Sequence, residues 1–417
     1  MLNVWVVRDL EPIPGDPGDR RRWRTGMLAD ALARRGHRTT WFTSTFDHYA
    51  KRQRPGGDHT LSSAPNLTIE VFRGRGYSGN VSLGRIAHNR GFAARWRQFA
   101  EASPVLPDVI VTDVPTTETA EAVARFAKAR GIATVLSIRD LWPDFFVDYV
   151  PPALRALARP FVSPLDRQVR YAAANATSVI GISDDYLKWG MAKGNRAPTD
   201  RDRVFPLGYE SRPRPDAAAI AAFRKRLGLE RPAIVSFVGS WGRTYDLDLV
   251  RLTAQQLAPR DDLAFVVAGD KDTQPAMRDA LARLRNVKLT GWLDADDIAL
   301  LISASAIGLL PYQPNAPQSL PNKVFEYMAY GAYQLATLEG DIGQFYAETG
   351  AGHVVGRDFA SAIPAALPIA LDPVRRAERI AVFDRTYSSG AIYGAMVDHI
   401  ERIAALSTHP PGSAPRS

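Results

Sequence analysis

A lysine and a glutamate one helical turn apart, Lys323 and Glu326, stand in the segment SLPNKVFEYMAYG spanning 319–331. Pro321 suits the first turn of a helix, and Ser319 or Asn322 is available to cap it. Val324, Phe325, Met328 and Ala329 recur at helical spacing as an apolar face, and Gly331 is a natural stop. The first turn of such a helix offers free N–H groups and a partial positive charge, which suits a pyrophosphate. Lys323 adds a full charge there. Glu326 supplies a carboxylate able to accept from two vicinal hydroxyls, as a ribose presents. The bland alternative is a surface helix with an ordinary Lys–Glu pair worth about 0.2–0.5 kcal/mol.

Three further segments combine glycines and charge. VSFVGSWGRTYDLDLV (235–250) leaves a strand through Gly239, passes Gly242 and Arg243, and enters a helix near Asp246. Glycines permit close backbone approach, and an arginine can fork onto a phosphate. Gly15-Asp16-Pro17-Gly18 follows the first apolar run and precedes Arg20, Arg21, Arg22 and Arg24, a basic cluster suited to an acceptor pyrophosphate or anionic headgroups. It lacks the GxGxxG pattern of a dinucleotide site, and a plain turn is the competing reading. Arg139-Asp140-Leu141-Trp142-Pro143-Asp144 follows the strand ATVLSI, where Asp140 is either a ligand or a helix cap.

These segments need a scaffold. Short apolar strands alternate with helical stretches from Leu2 to about residue 184, and a Pro-rich break, VFPLGYESRPRPD, follows at 204–216. The alternation restarts with strands AIVSFVGS, LAFVVAGD, VKLTGW, AIGLLPY and YQLATLEG, and 373–406 reads as helical. Such a rhythm predicts α/β architecture with two mostly parallel sheets covered on both faces. Ligands of these sheets bind beyond the carboxyl ends of the strands, which is where the segments above lie.

The bulk numbers fit two soluble domains. Of 417 residues, 46% are hydrophobic and 23% charged. There is no cysteine, so a disulfide framework is excluded. The start MLNVWVVRDL is interrupted by charge too early for a secretory signal, and no apolar run reaches membrane-spanning length, so a cytoplasmic location is expected. The net charge is +8, and residues 1–210 hold 30 Lys and Arg against 22 Asp and Glu, while the remainder balances at 22 and 22. A basic first half suits anionic lipid, nucleic acid or an acidic substrate, or simply solubility.

The segment 319–331 resembles the donor-site motif of glycosyltransferase family 4, a family of GT-B enzymes. That motif has two glutamates separated by seven residues, the second on a helix before A-x-G; Glu326, Ala329 and Gly331 match its second half. LPNKVFEYMAYG is similar to the branch that builds bacterial surface polysaccharides, of the fucosamine- or N-acetylglucosamine-transferring type. The resemblance implies two Rossmann-like doubly wound domains facing a central cleft. It divides the chain into an acceptor-binding domain at 1–208 and a nucleotide-sugar domain at 209–375. Helices at 376–407 return to the first domain, and a disordered Pro/Ser-rich tail occupies 408–417.

It also implies roles. Glu326 would hold the donor ribose, with Asn322 beside it, and Trp292 and Leu293 would flank the base. Gln318 stands where the family has its first glutamate and brings no negative charge to the donor sugar. Arg243 and Lys323 would replace the usual Arg/Lys pair at the pyrophosphate, beside Gly239 and Gly242. Gly15, Asp16, Gly18 and Arg21 would face the acceptor. Asp140 would contact its hydroxyl, in a segment similar to the branch's D-x-W-P. The implied reaction is metal-independent, retaining transfer from a nucleoside-diphosphate sugar, UDP first, without a further cofactor. The implied acceptor is a lipid-linked saccharide at the inner membrane face. A nucleotide-sugar 2-epimerase is the alternative within the fold. A basic nucleic-acid binder is the alternative outside it, and it lacks an aromatic stacking platform.

Overall fold

The computed structural model describes residues 1–408 except 18–21, 149, 152–153, 243, 270–272, 315 and 317–319, and the side chains at 148 and 158. The chain forms two compact units, Met1–Leu207 with Ile392 onward, and Gly208–Ala391.

The first unit is built on β1 (Asn3–Val7), β2 (Arg38–Ser44), β5 (His59–Ala64), β6 (Leu67–Phe72), β7 (Val109–Val114), β8 (Ala133–Ile138), β9 (Ser178–Gly181) and β10 (Arg203–Val204); a small hairpin of β3 (Phe46–Asp47) and β4 (Arg52–Gln53) stands apart. The sheet order is β10-β9-β8-β7-β1-β2-β6-β5, parallel but for β5, which pairs antiparallel with β6. Strands β7 and β8 are buried at every residue, as expected where helices cover both faces. The edge strand β5 lies only partly buried.

One face of this sheet packs Val4, Val6, Val109 and Val135 against Ile392, Met396, Val397 and Ile400 of the helix Ser389–Ala404. The return to the first unit therefore begins at Ile392. Helix Pro373–Val382 and the π-helical turn Phe383–Tyr387, expected to return as well, stay in the second unit.

The second sheet runs β13 (Val287–Gly291), β12 (Leu263–Ala268), β11 (Ala233–Val238), β14 (Ile307–Leu310), β15 (Tyr333–Ala336), β16 (Gly352–Val354), all parallel. Separate apolar clusters cover its two faces. Both sheets have a Rossmann-like order, with the connection reversing at β1/β7 in the first and β11/β14 in the second. Such a reversal leaves a crevice beyond the carboxyl ends of the two strands.

Candidate active site

In the second unit the crevice is open. A cavity of about 230 Å³ lies at the carboxyl ends of β11 and β12, lined by Val238, Gly239, Ser240, Tyr245, Ala268, Gly269, Trp292, Leu293, Ile298 and Lys323. Its floor depends on two glycines. Gly269 has φ +103°, and a Cβ there would overlap the Gly239 carbonyl. A Cβ on Gly239 would sit 3.1 Å from the Phe237 ring and 3.2 Å from that of Tyr245. Gly242 meets nothing closer than 4.0 Å and has no left-handed φ, so its backbone does not require glycine.

The helix Asn322–Ala329 brings Lys323 to the rim. Its N-cap position is Pro321, with no side-chain cap; Asn322 is the first helical residue, not the cap. Ser319 lies outside the described residues. The helix is tied to the sheet by Tyr327, whose hydroxyl accepts from Val238 N at 3.1 Å and donates to Ser236 O at 3.2 Å. The Tyr327 ring occupies the space a side chain on Gly308 would need, which explains a glycine inside β14. Beyond the helix, Gly331 takes φ +74°, and the Arg379 guanidinium donates to its carbonyl at 3.0 Å. The expected stop at Gly331 is thus a left-handed turn held by an arginine.

Lys323 Nζ lies 2.5 Å from Glu326 Oε2, and Tyr209 donates to Glu326 Oε1 at 3.2 Å. Both Glu326 oxygens are therefore engaged within the unit, though a carboxylate has about four acceptor positions and can take further donors. Lys323 touches the cavity, while Glu326 stands one turn behind it. Trp292, 56% exposed, and Leu293 line the cavity. Arg243 and Gln318 lie outside the described residues. Tyr209 and Tyr245 belong to this neighbourhood and carry no assignment from the sequence, whereas Gly269, with Asp270, matches the family's GxG-like loop in part. Tyr209 is one residue beyond the Pro206-Leu207-Gly208 break and carried no signal.

In the first unit the equivalent crevice is filled. Arg8 follows β1 and donates to Asp113 Oδ1 at 2.7 Å across the β1/β7 reversal. Arg139, following β8, donates to Asp113 Oδ2 at 2.8 Å and to Glu11 Oε1 at 2.5 Å. Glu11 also accepts from the N–H and hydroxyl of Thr25, at 2.9 and 2.8 Å. Burial alone would raise the Glu11 pKa, but the charges of Arg139 and Arg8 outweigh it and hold the carboxyl below its usual range. This network leaves only about 20 Å³ of space.

The acceptor candidates are dispersed around it. Asp16, after Gly15 at φ +92°, accepts a two-pronged contact from Arg54 at 2.6 and 2.7 Å, so its carboxylate fastens the loop. Gly18 and Arg21 lie outside the described residues. Asp140 does not cap a helix: its side chain accepts from Leu141 N at 2.8 Å, and the next helix begins at Asp144. Burial raises the Asp140 pKa, opposed by the Leu141 N–H, Arg8, Arg85 and the Trp142 side chain. Nearby, His88 and Asp9 form a fully buried pair at 3.1 Å. Gly76 N donates to His88 Nδ1, which leaves Nε2 to donate to Asp9.

Among the described residues no group of three or more His, Cys, Asp or Glu is arranged to hold a metal ion, and no helix is long and apolar enough to cross a membrane.

Two family models match the chain: one described as a glycosyl transferase 4-like domain over residues 22–208, and one described as glycosyl transferases group 1 over 232–368. Among solved structures, the chain is similar to Anabaena HepE in complex with UDP, at 15% identity and TM-score 0.65, over 96% of this chain and 100% of that one. It is similar to sucrose-phosphate synthase from Thermosynechococcus elongatus at 16% identity and TM-score 0.66, over 98% and 100%. It is also similar to a UDP-forming trehalose-phosphate synthase from Burkholderia xenovorans at 15% identity and TM-score 0.63, over 97% and 100%. At such identities the likeness is one of fold. Among curated protein sequences none matches.

Proposed function

The chain belongs to the GT-B glycosyltransferases, and from that premise we propose that it transfers a sugar with retention from a UDP-sugar to a hydroxyl of a lipid-linked or polysaccharide-precursor saccharide. The observation that carries this reading is the cavity at the ends of β11 and β12, where Lys323 meets the Gly239/Gly269 floor and Trp292. In this reading the diphosphate lies over the glycine backbone, the base rests against Trp292 and Leu293, and the ribose reaches Glu326. UDP is favoured because HepE is described with UDP and the Burkholderia enzyme as UDP-forming. The transferred sugar is a hexose or N-acetylhexosamine.

The chemistry asked of the protein is electrostatic. A nucleoside diphosphate leaves as an anion, and a cation placed beside it lowers the barrier without any protein nucleophile. Lys323 and Arg243 are the cations assigned to that task, with no metal. The leaving phosphate takes the acceptor proton on the face it departs from, which retains the anomeric configuration. The acceptor is assigned to the first unit, with Asp140 as the contact to its hydroxyl. The basic excess of residues 1–210 favours an anionic, lipid-linked acceptor at the inner face of the cytoplasmic membrane.

A thermal-shift screen with UDP-, GDP-, ADP- and TDP-sugars tests the donor assignment. A ligand at 100 times its Kd stabilises the folded state by about 2.7 kcal/mol. The UDP-sugars are expected to give the largest rise in Tm; no rise with any of the four would overturn the donor site.

A further inference from the structure

A second cavity, of about 320 Å³, lies in the first unit between the N-terminal parts of helices Leu83–Ala102 and Arg155–Asn175. This volume is at the lower end of small-molecule pockets, about 300–1,000 Å³. Its walls are Ile86, Trp142, Phe146 and Leu165, and its mouth is formed by Val81, Leu83 and Phe161. Those three mouth residues are 76%, 84% and 85% exposed. Three large apolar side chains left in water around one groove indicate that something apolar covers them.

The polar end of the groove indicates what. Arg85, Asn89 and Glu118 reach into it from below, each less than one tenth exposed. Arg85 Nε, Asn89 Oδ1 and Glu118 Oε1 have no hydrogen-bond partner among the described residues. Buried polar atoms without partners are costly and mark a place where a ligand or water completes the set. The Arg85 guanidinium stacks over Trp142 at 4.1 Å and feels the charges of Arg8, Asp9 and Asp140. Arg85 thus joins the apolar groove to the polar carboxyl edge of the sheet. The segment Asp140-Leu141-Trp142 does the same, with Asp140 on the polar side and Trp142 in the groove.

An occupant that matches has a hydrocarbon chain and a head that combines an anionic group, for the Arg85 guanidinium, with hydroxyls that donate to Asn89 Oδ1 and Glu118 Oε1. We propose that this groove binds the hydrocarbon chain of the lipid-linked saccharide acceptor, with its phosphate directed towards Arg85. The inference rests on the acceptor reading above and adds the place where the lipid lies. It assigns Leu83 and Phe161 to affinity for the chain, not to the reaction.

The test uses the full chain and dodecyl phosphate below its micelle concentration, followed by calorimetry, with inorganic phosphate as the control. Saturable one-to-one binding is expected for dodecyl phosphate and none for phosphate. Leu83→Ser and Phe161→Ser alter exposed side chains and leave the fold intact; each is expected to weaken binding at least tenfold while the Tm rise given by UDP is unchanged. Absence of dodecyl phosphate binding, or binding by both variants as tight as that of the natural protein, overturns the groove. If UDP still stabilises the protein in that case, the donor reading stands. If UDP has no effect, the donor reading fails on its own. Adsorption to anionic vesicles without one-to-one binding also overturns the groove, and makes this face a membrane contact instead.

Discussion

The ammonium of Lys323 and the carboxylate of Glu326 hold one another at 2.5 Å across one turn of the helix that edges the cavity beyond β11 and β12. An i,i+3 pair of this kind on a helix surface is worth about 0.2–0.5 kcal/mol. In the proposed reading, a bound diphosphate draws Lys323 away from Glu326 and frees Glu326 Oε2 for a ribose hydroxyl.

Lys323→Ala is expected to lower kcat by about 100-fold or more, the scale of losing one group that stabilises developing charge. Arg243→Ala is expected to act in the same direction. Steady-state kinetics with circular dichroism as a folding control measure both. Near-normal turnover in both variants would remove them from the reaction.

Glu326→Ala is expected to weaken UDP about tenfold, the equivalent of about 1.4 kcal/mol. The sharper readout is sugar discrimination. The natural protein should prefer UDP to 2′,3′-dideoxy-UDP, and the variant should bind the two alike. A preference that survives the substitution would place the ribose elsewhere.

Gly269→Ala forces a Cβ into the Gly239 carbonyl and keeps a positive φ. It is expected to destabilise the second unit by about 1–3 kcal/mol and to abolish UDP binding. Gly242→Ala has open space and is expected to stay within about 0.5 kcal/mol. Chemical denaturation of the two variants side by side checks the contrast.

Stability is expected to fall in mild acid through His399. Burial, with Arg402 and Arg203 close by, pushes its pKa down to about 4, against about 6.5 for an unfolded histidine. Ser178 Oγ lies 2.9 Å from Nε2 and Arg402 lies by Nδ1 at 3.4 Å, an arrangement that suits the neutral ring. Because the folded pKa is depressed, the stabilisation is full above pH 6.5 and is lost as pH falls towards 4. Tm measured from pH 7 to pH 4 should drop, and His399→Gln should flatten the drop. An unchanged slope would assign the acid sensitivity to other groups.

Much of the scaffold was legible because it rests on local signals. The runs at β7, β8, β11 and β12 are apolar throughout, as doubly covered parallel strands must be, and Gly331 and Asp246 mark helix ends through their own backbone and side-chain chemistry. Lys323 stood out by its place in the first turn of a helix-spaced segment, Gly239 by its place at the end of a strand, and Trp292 and Leu293 through the family resemblance; all four line one cavity. What stayed hidden depends on partners far apart in sequence. Arg139 looked like a neighbour of Asp140, and only the adjacency of β1, β7 and β8 shows it joined to Glu11 and Asp113. Asp16 resembled a ligand until Arg54, on a different element, was seen to occupy it. Tyr209 lies 117 positions from Glu326, and no spacing rule links them.

The helix Ser389–Ala404 has a consequence for the order in which the protein is made. Ile392, Met396, Val397, Ile400 and Ile403 complete the apolar layer that Val4 and Val6 begin. Domains usually fold as they emerge from the ribosome, N-terminal first. Here β1 waits for a helix made much later, while Gly208–Ala391 holds its own apolar clusters and is free to fold during that wait. A nascent chain halted before residue 392 would thus carry a finished second unit and a first unit with one face of its sheet still open to water.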